Sequence, residues 1–171
     1  MASDEQLRYI SHYPAELLDK VLLLIDRNRL GELILSRYPD AHDIRTDKAL
    51  YEFVLDLKKR HMRQSATVSK IRFDDRISAL HNALGQHRFT SRVQGNKLRA
   101  KSEIVISSVF KKAPLAFLQM IAVHELAHLR EKNHDKAFYR LCEYMMPDYH
   151  TIEFDMRLFL THVTVHGPLY D

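Results

Sequence analysis

The sequence predicts an α+β fold in a single domain over residues 1–171, and three observations carry that expectation. The chain has 171 residues, 46% hydrophobic and 28% charged, which is one domain's worth of ordinary globular composition. Apolar residues recur at helical spacing toward both ends, while the middle carries short β-branched runs. N-terminal helices, a small mixed sheet and then helices again is an order that suits segregated strands and helices around one core.

Pro14 opens a first helix running to about Asn28, with Leu17, Leu18, Val21, Leu22, Leu24 and Ile25 too apolar for a solvated face; Gly31 reads as its breaker. Thr46 caps a second helix with Leu50, Phe53, Val54 and Leu57 on one side, and Lys58, Lys59 and Arg60 near its end suit the helix dipole. Val68 to Phe73 reads as a strand ending in an Asp74-Asp75 turn, and Ile77 to Leu84 fits either strand or helix. Lys97 to Phe110, with Ile104, Val105, Ile106 and Val109, reads as a strand. Ala113 to Lys132 then reads as a helix, with Pro114 at its first position, Leu115, Leu118, Ile121, Ala122, Leu126 and Leu129 at helical spacing, and no internal Gly or Pro. Asp135 caps the next helix, Lys136 to Met146, which Pro147 stops, and Ile152 to about Val163 forms a last amphipathic helix anchored by Phe154, Leu158 and Phe159. No repeat, low-complexity segment or linker interrupts this order.

Composition excludes several classes. The start, Met1-Ala2-Ser3-Asp4-Glu5, is acidic where a signal peptide is basic, and the longest aliphatic run, Val21 to Ile25, is too short to span a bilayer. A cytoplasmic location without a membrane partner is therefore expected. The single cysteine, Cys142, cannot form an internal disulfide, and its place on a helix suits core filling better than nucleophilic work. Nothing in the sequence fixes an oligomeric state.

The chemistry is concentrated in His124-Glu125-Leu126-Ala127-His128, followed six residues later by His134. Residues four apart on a helix return to one face about 40° apart and about 6 Å along the axis, so His124 and His128 can converge on one tetrahedral ion. Burying two imidazoles and a carboxylate on an apolar helix costs several kcal/mol without a partner, and a metal ion is such a partner. Three protein ligands leave a fourth position, where a water's pKa falls toward ~7 and Glu125 can take its proton as general base. Zn²⁺ is the expected ion; another divalent transition ion fits the same donors, whereas three imidazoles disfavour magnesium.

On an unbroken helix His134 would point about 240° around from His128, so a bend is required. Asn133 is expected to supply it, as a residue tolerant of the left-handed conformation, with Asp135 restarting the helix. The same interval separates the second and third histidines of H-E-x-x-H-x-x-G-x-x-H, although Glu131 stands where that pattern has glycine. Glu143 and Glu153 compete with His134 as third ligand.

The run Val123 to Tyr139 resembles the signature of the YgjP-like metallopeptidase-domain family. The likeness extends to Arg37-Tyr38-Pro39, Thr46 to Tyr51, Ser91 to Leu98, Glu153-Phe154-Asp155 and Arg157-Leu158. Many relatives carry a Trp-Gly-Ser-Cys element before the catalytic helix, where this chain has Val93-Gln94-Gly95-Asn96. The resemblance implies a zincin-like hydrolase with His124, His128 and His134 as ligands and Glu125 as base. Within the family, assignments run from metallopeptidase to a pyrophosphatase acting on UTP, so peptide and nucleotide substrates are both expected, the peptide first.

Between Arg88 and Lys112 stand seven basic residues against Glu103 alone, a surplus of six in a chain whose net charge is +4. Such a block just upstream of the metal helix suits an approaching anion, and Arg92 and Lys97 are the candidate substrate-binding cations. A solvated basic face guarding a sheet edge is the plainer alternative. Nucleic acid is an anion this block could take, but no Trp and no aromatic-interleaved recognition motif is present. Tyr144 and Tyr149 could assist a peptide substrate, though tyrosines so placed more often pack. A non-catalytic binding protein with a structural metal is the reading from another class, and it leaves Glu125 without a role.

Overall fold

The computed structural model describes residues 4–77, 88–94 and 97–171, with side chains described outside 78–101. Helices α1 (Ala15–Asp26), α2 (Leu30–Arg37) and α3 (Asp47–His61) come first, then strands β1 (Val68–Asp74), β2 (Arg88–Gln94) and β3 (Lys97–Ser107). A 3₁₀ turn, Ser108–Lys112, leads into α4 (Leu115–Ala127), followed by α5 (Lys136–Met145) and α6 (Tyr149–His166). The sheet order is β1-β3-β2, with β1 parallel and β2 antiparallel to β3, which makes the expected small mixed sheet.

Local chemistry explains most boundaries. Pro14 and Pro114 stand one position before α1 and α4, as N-caps with extended ψ of 145° and 147°. Thr46 caps α3 through Oγ1, which accepts from the Ala49 N–H at 3.1 Å, and Asp47 Oδ1 accepts from the Phe73 N–H at 2.9 Å, tying the start of α3 to the end of β1. In the sheet, Ile71 pairs with Ile104 and Phe73 with Ile106, and all four are buried, so period-two alternation turns one face toward the core. β3 stops at Ser107, short of the expected Phe110, where the Ser107 hydroxyl accepts from the Val109 N–H and opens the 3₁₀ turn. Ile77 to Leu84 lies, beyond Ile77 itself, outside the described residues.

Gly31 is not a breaker. The chain turns at Asn28, which adopts φ 54°, and Gly31 sits buried inside α2. A Cβ there would stand 2.8 Å from His162 Cε1, so the glycine permits close packing of α2 on α6. The same two helices are joined by the buried Asp155 carboxylate, which accepts from Arg37 Nη1 at 2.8 Å and from the Tyr38 hydroxyl at 2.7 Å. α6 runs longer than expected, from Tyr149, and ends at Gly167 with φ 88°.

α4 forms the middle of the core. From Phe117 to Ala127 every residue but Gln119 is buried, and a helix apolar on all sides has no solvated face. Placing a histidine pair and a glutamate on such a helix puts them inside the protein. Among the described residues no helix is long and apolar enough to cross a membrane.

Candidate metal centre

α4 ends earlier than its apolar pattern suggests. Its last helical residue is Ala127, and Leu129 and Arg130 donate to Leu126 and Ala127 at 3.0 and 3.1 Å, three residues back, which tightens the final turn. Asn133 does not act as a left-handed pivot, because among the described residues only Asn28 and Gly167 have positive φ. The chain leaves the helix through the tightened turn at His128 to Glu131 instead. Glu131, where the longer pattern has glycine, adopts no positive φ, and its backbone carbonyl accepts from His128 Nδ1 at 3.0 Å.

Beyond the turn, His134 comes back over the helix end, and Asp135 fixes the restart by accepting from the Phe138 N–H at 3.0 Å. His134 Nε2 lies 3.0 Å from His128 Nε2 and 3.2 Å from His124 Nε2. Phe138, fully buried, packs its ring centroid 4.9, 4.6 and 4.9 Å from those of His124, His128 and His134, and so walls the cluster from below. His124 and His128 are buried whereas His134 is exposed, so the three nitrogens face solvent on the His134 side.

The donor set fits a metal ion. A carbonyl only accepts, so His128 must carry its proton on Nδ1 and present a lone pair at Nε2. His124 Nδ1 meets the Tyr149 hydroxyl at 2.8 Å, and that hydroxyl donates onward to Glu153 Oε2 at 3.4 Å, which assigns the His124 proton to Nδ1 as well. Lone pairs this close repel unless a cation lies among them. One proton on His134 Nε2 can face only one neighbour at a time, whereas tetrahedral zinc with bonds of about 2.0 Å places its nitrogens about 3.3 Å apart. Burial, with the neighbouring His128 and His134, pushes His124 well below its ordinary pKa, and burial also lowers His134, so both are neutral and able to ligate at neutral pH.

The structure sorts the candidates of the sequence. His124, His128 and His134 come together, and they are the one such group among the described residues. Glu143 pairs with His150 Nε2 at 3.2 Å, and Glu153 lies behind Tyr149 and 3.8 Å from His150 Nδ1, so neither carboxylate joins the cluster. Glu125 is completely buried beside His124 on α4. Arg92 lies on β2 opposite Arg99, and Lys97 begins β3 opposite Gln94; their side chains lie outside the described residues. Tyr144 is exposed and stacks edge-on against His61. Tyr149 packs in the core as expected, and its hydroxyl also reaches His124. No signal in the sequence marks that contact, which joins residues 25 apart on two different helices.

A buried glutamate next to the first of three convergent imidazoles is an arrangement compatible with a metal-dependent hydrolase, and likeness to known proteins fixes the class. Residues 56–157 match the model of the YgjP-like metallopeptidase domain, and the chain belongs to that family. It is an enzyme of the metal-dependent hydrolase type. Over 159 residues it is 51% identical to a protein of Escherichia coli (strain K12) called UTP pyrophosphatase, an overlap of 93% of this chain and 95% of that one. No solved structure matches it.

Proposed function

We propose that this protein is a zinc-dependent nucleotide pyrophosphatase of zincin-like architecture, acting on UTP or a related nucleoside triphosphate. The observation that carries this choice is the 51% identity, across nearly the whole of both chains, to a protein called UTP pyrophosphatase. It weighs for a phosphoanhydride over the amide bond expected first from the family resemblance.

In this reading His124, His128 and His134 hold the ion, and their three nitrogens favour zinc over magnesium. The ion, when bound, supplies Lewis-acid polarisation of a phosphoryl oxygen and acidifies a water. Glu125 takes the proton of the attacking water and passes it to the departing pyrophosphate, so that UTP and water give UMP and diphosphate. Cations hold the polyphosphate in place. Arg92 and Lys97 are proposed for that role from the basic block preceding α4. Arg130 and Lys132, on the turn leading to His134, and Lys136 at the start of α5 are exposed cations close to His134 in the chain, beside Glu131 and Asp135, and are further candidates for that role. Triphosphates are made and used in the cytoplasm, and that location is part of the proposal.

A substrate panel tests it. Zinc-loaded protein offered UTP, other nucleoside triphosphates, short peptides and casein should release UMP and diphosphate from UTP and leave the peptides intact. Peptide release with the triphosphates untouched would return the enzyme to the peptidases.

A further inference from the structure

The two candidate ligands His124, on α4, and His128, at its end, are held from behind by different means. His128 donates to the backbone carbonyl of Glu131, a partner no substitution can remove. His124 instead meets a side chain, the Tyr149 hydroxyl, 2.8 Å from Nδ1 and brought there from the first turn of α6. Both residues are buried, Tyr149 completely. Tyr149 and Glu153 are four residues apart on α6 and so share a face, and the hydroxyl donates to Glu153 Oε2 at 3.4 Å. Glu153 Oε1 lies 3.8 Å from His150 Nδ1, and His150 Nε2 lies 3.2 Å from Glu143 on α5, so the contacts continue from the cluster out to the surface.

We infer that Tyr149, backed by Glu153, is a positioning residue that fixes the tautomer and ring orientation of His124 for metal binding. The inference rests on the reading of His124, His128 and His134 as the metal-binding set. A phenol that donates to a carboxylate becomes a better acceptor, so the imidazole N–H is held toward Tyr149 and the Nε2 lone pair toward His128 and His134. A packing role alone would need only the ring. The hydroxyl is what carries the chemistry, and Tyr149→Phe removes it while keeping the ring.

Zinc affinity, measured by competition with a chromophoric chelator, and the visible absorption of the cobalt(II)-substituted protein separate the two roles. Tyr149→Phe should bind zinc about 10- to 100-fold more weakly and alter the cobalt spectrum. Glu153→Gln, which keeps an acceptor but loses its charge, should weaken binding in the same direction by a smaller factor, and it stands in should Tyr149→Phe fail to fold. Affinities of both variants within about twofold of the wild type, with an unaltered cobalt spectrum, would overturn the positioning role. Wild-type protein that takes up neither zinc nor cobalt would overturn the metal centre itself, which is a different failure.

Discussion

His42 shows how one buried titratable group ties this protein's stability to pH. Its Nδ1 accepts from the Ile44 N–H at 2.9 Å and its Nε2–H donates to the Phe110 carbonyl at 2.6 Å, so the neutral ring satisfies both partners and a second proton would face an N–H donor. Burial accordingly holds its pKa below the ordinary 6.5. In the unfolded chain the ring takes up a proton first as pH falls, so its contribution is complete above about pH 6.5 and is lost as pH drops through the lower folded-state value. The gap in melting temperature between wild type and His42→Gln should therefore narrow from pH 7 to pH 5; a gap constant over that range would contradict the assignment. Residue roles were legible in the sequence where neighbours in the chain decide them. His134 could be picked out because Asp135 restarts a helix just after it. Tyr149 could not, since the group it serves lies 25 residues away on another helix and hydrogen bonding across the core leaves no periodic trace.

Helix packing tests the close approach at Gly31. Gly31→Ala would set a methyl group 2.8 Å from His162 Cε1 and 3.2 Å from Leu169 Cδ1, and overpacking of a buried contact costs on the order of 1–3 kcal/mol. Denaturant unfolding should show that loss, and His162→Ala should recover most of it in the double variant; costs that simply add would mean the two residues do not meet. The long helices were legible, α1 and α3 from the spacing of their apolar residues and α4 from a long apolar run without Gly or Pro. α2 was not. Eight residues give barely two turns of pattern, and its glycine looks like punctuation until the histidine facing it is known. The end of α4 was misplaced for a related reason: Leu129 continues the apolar period, but the His128 ring already draws the Glu131 carbonyl into a tightened turn.

For the whole molecule, class and substrate differ in how far the sequence reaches. The class follows from eleven consecutive residues, His124 to His134, whose spacing brings three nitrogens together once the helix ends at the second histidine. The proposed anionic substrate would call for cations around the open side of that cluster, and a linear excess of Lys and Arg does not say which of them line it. Segments far apart in the chain, Arg37-Tyr38 and Asp155, or Tyr9 and Arg157, prove to be tethers that seat α6 behind the cluster, a role visible only in three dimensions. The central claim is that this assembly hydrolyses a nucleoside triphosphate with a metal held by three histidines and Glu125 as base. UTP turnover by wild type and Glu125→Gln, each with its metal content determined, tests that claim most directly. The account predicts full metal occupancy in both and a rate about 10²- to 10⁴-fold lower in the variant. Undiminished turnover by Glu125→Gln with its metal in place would contradict it.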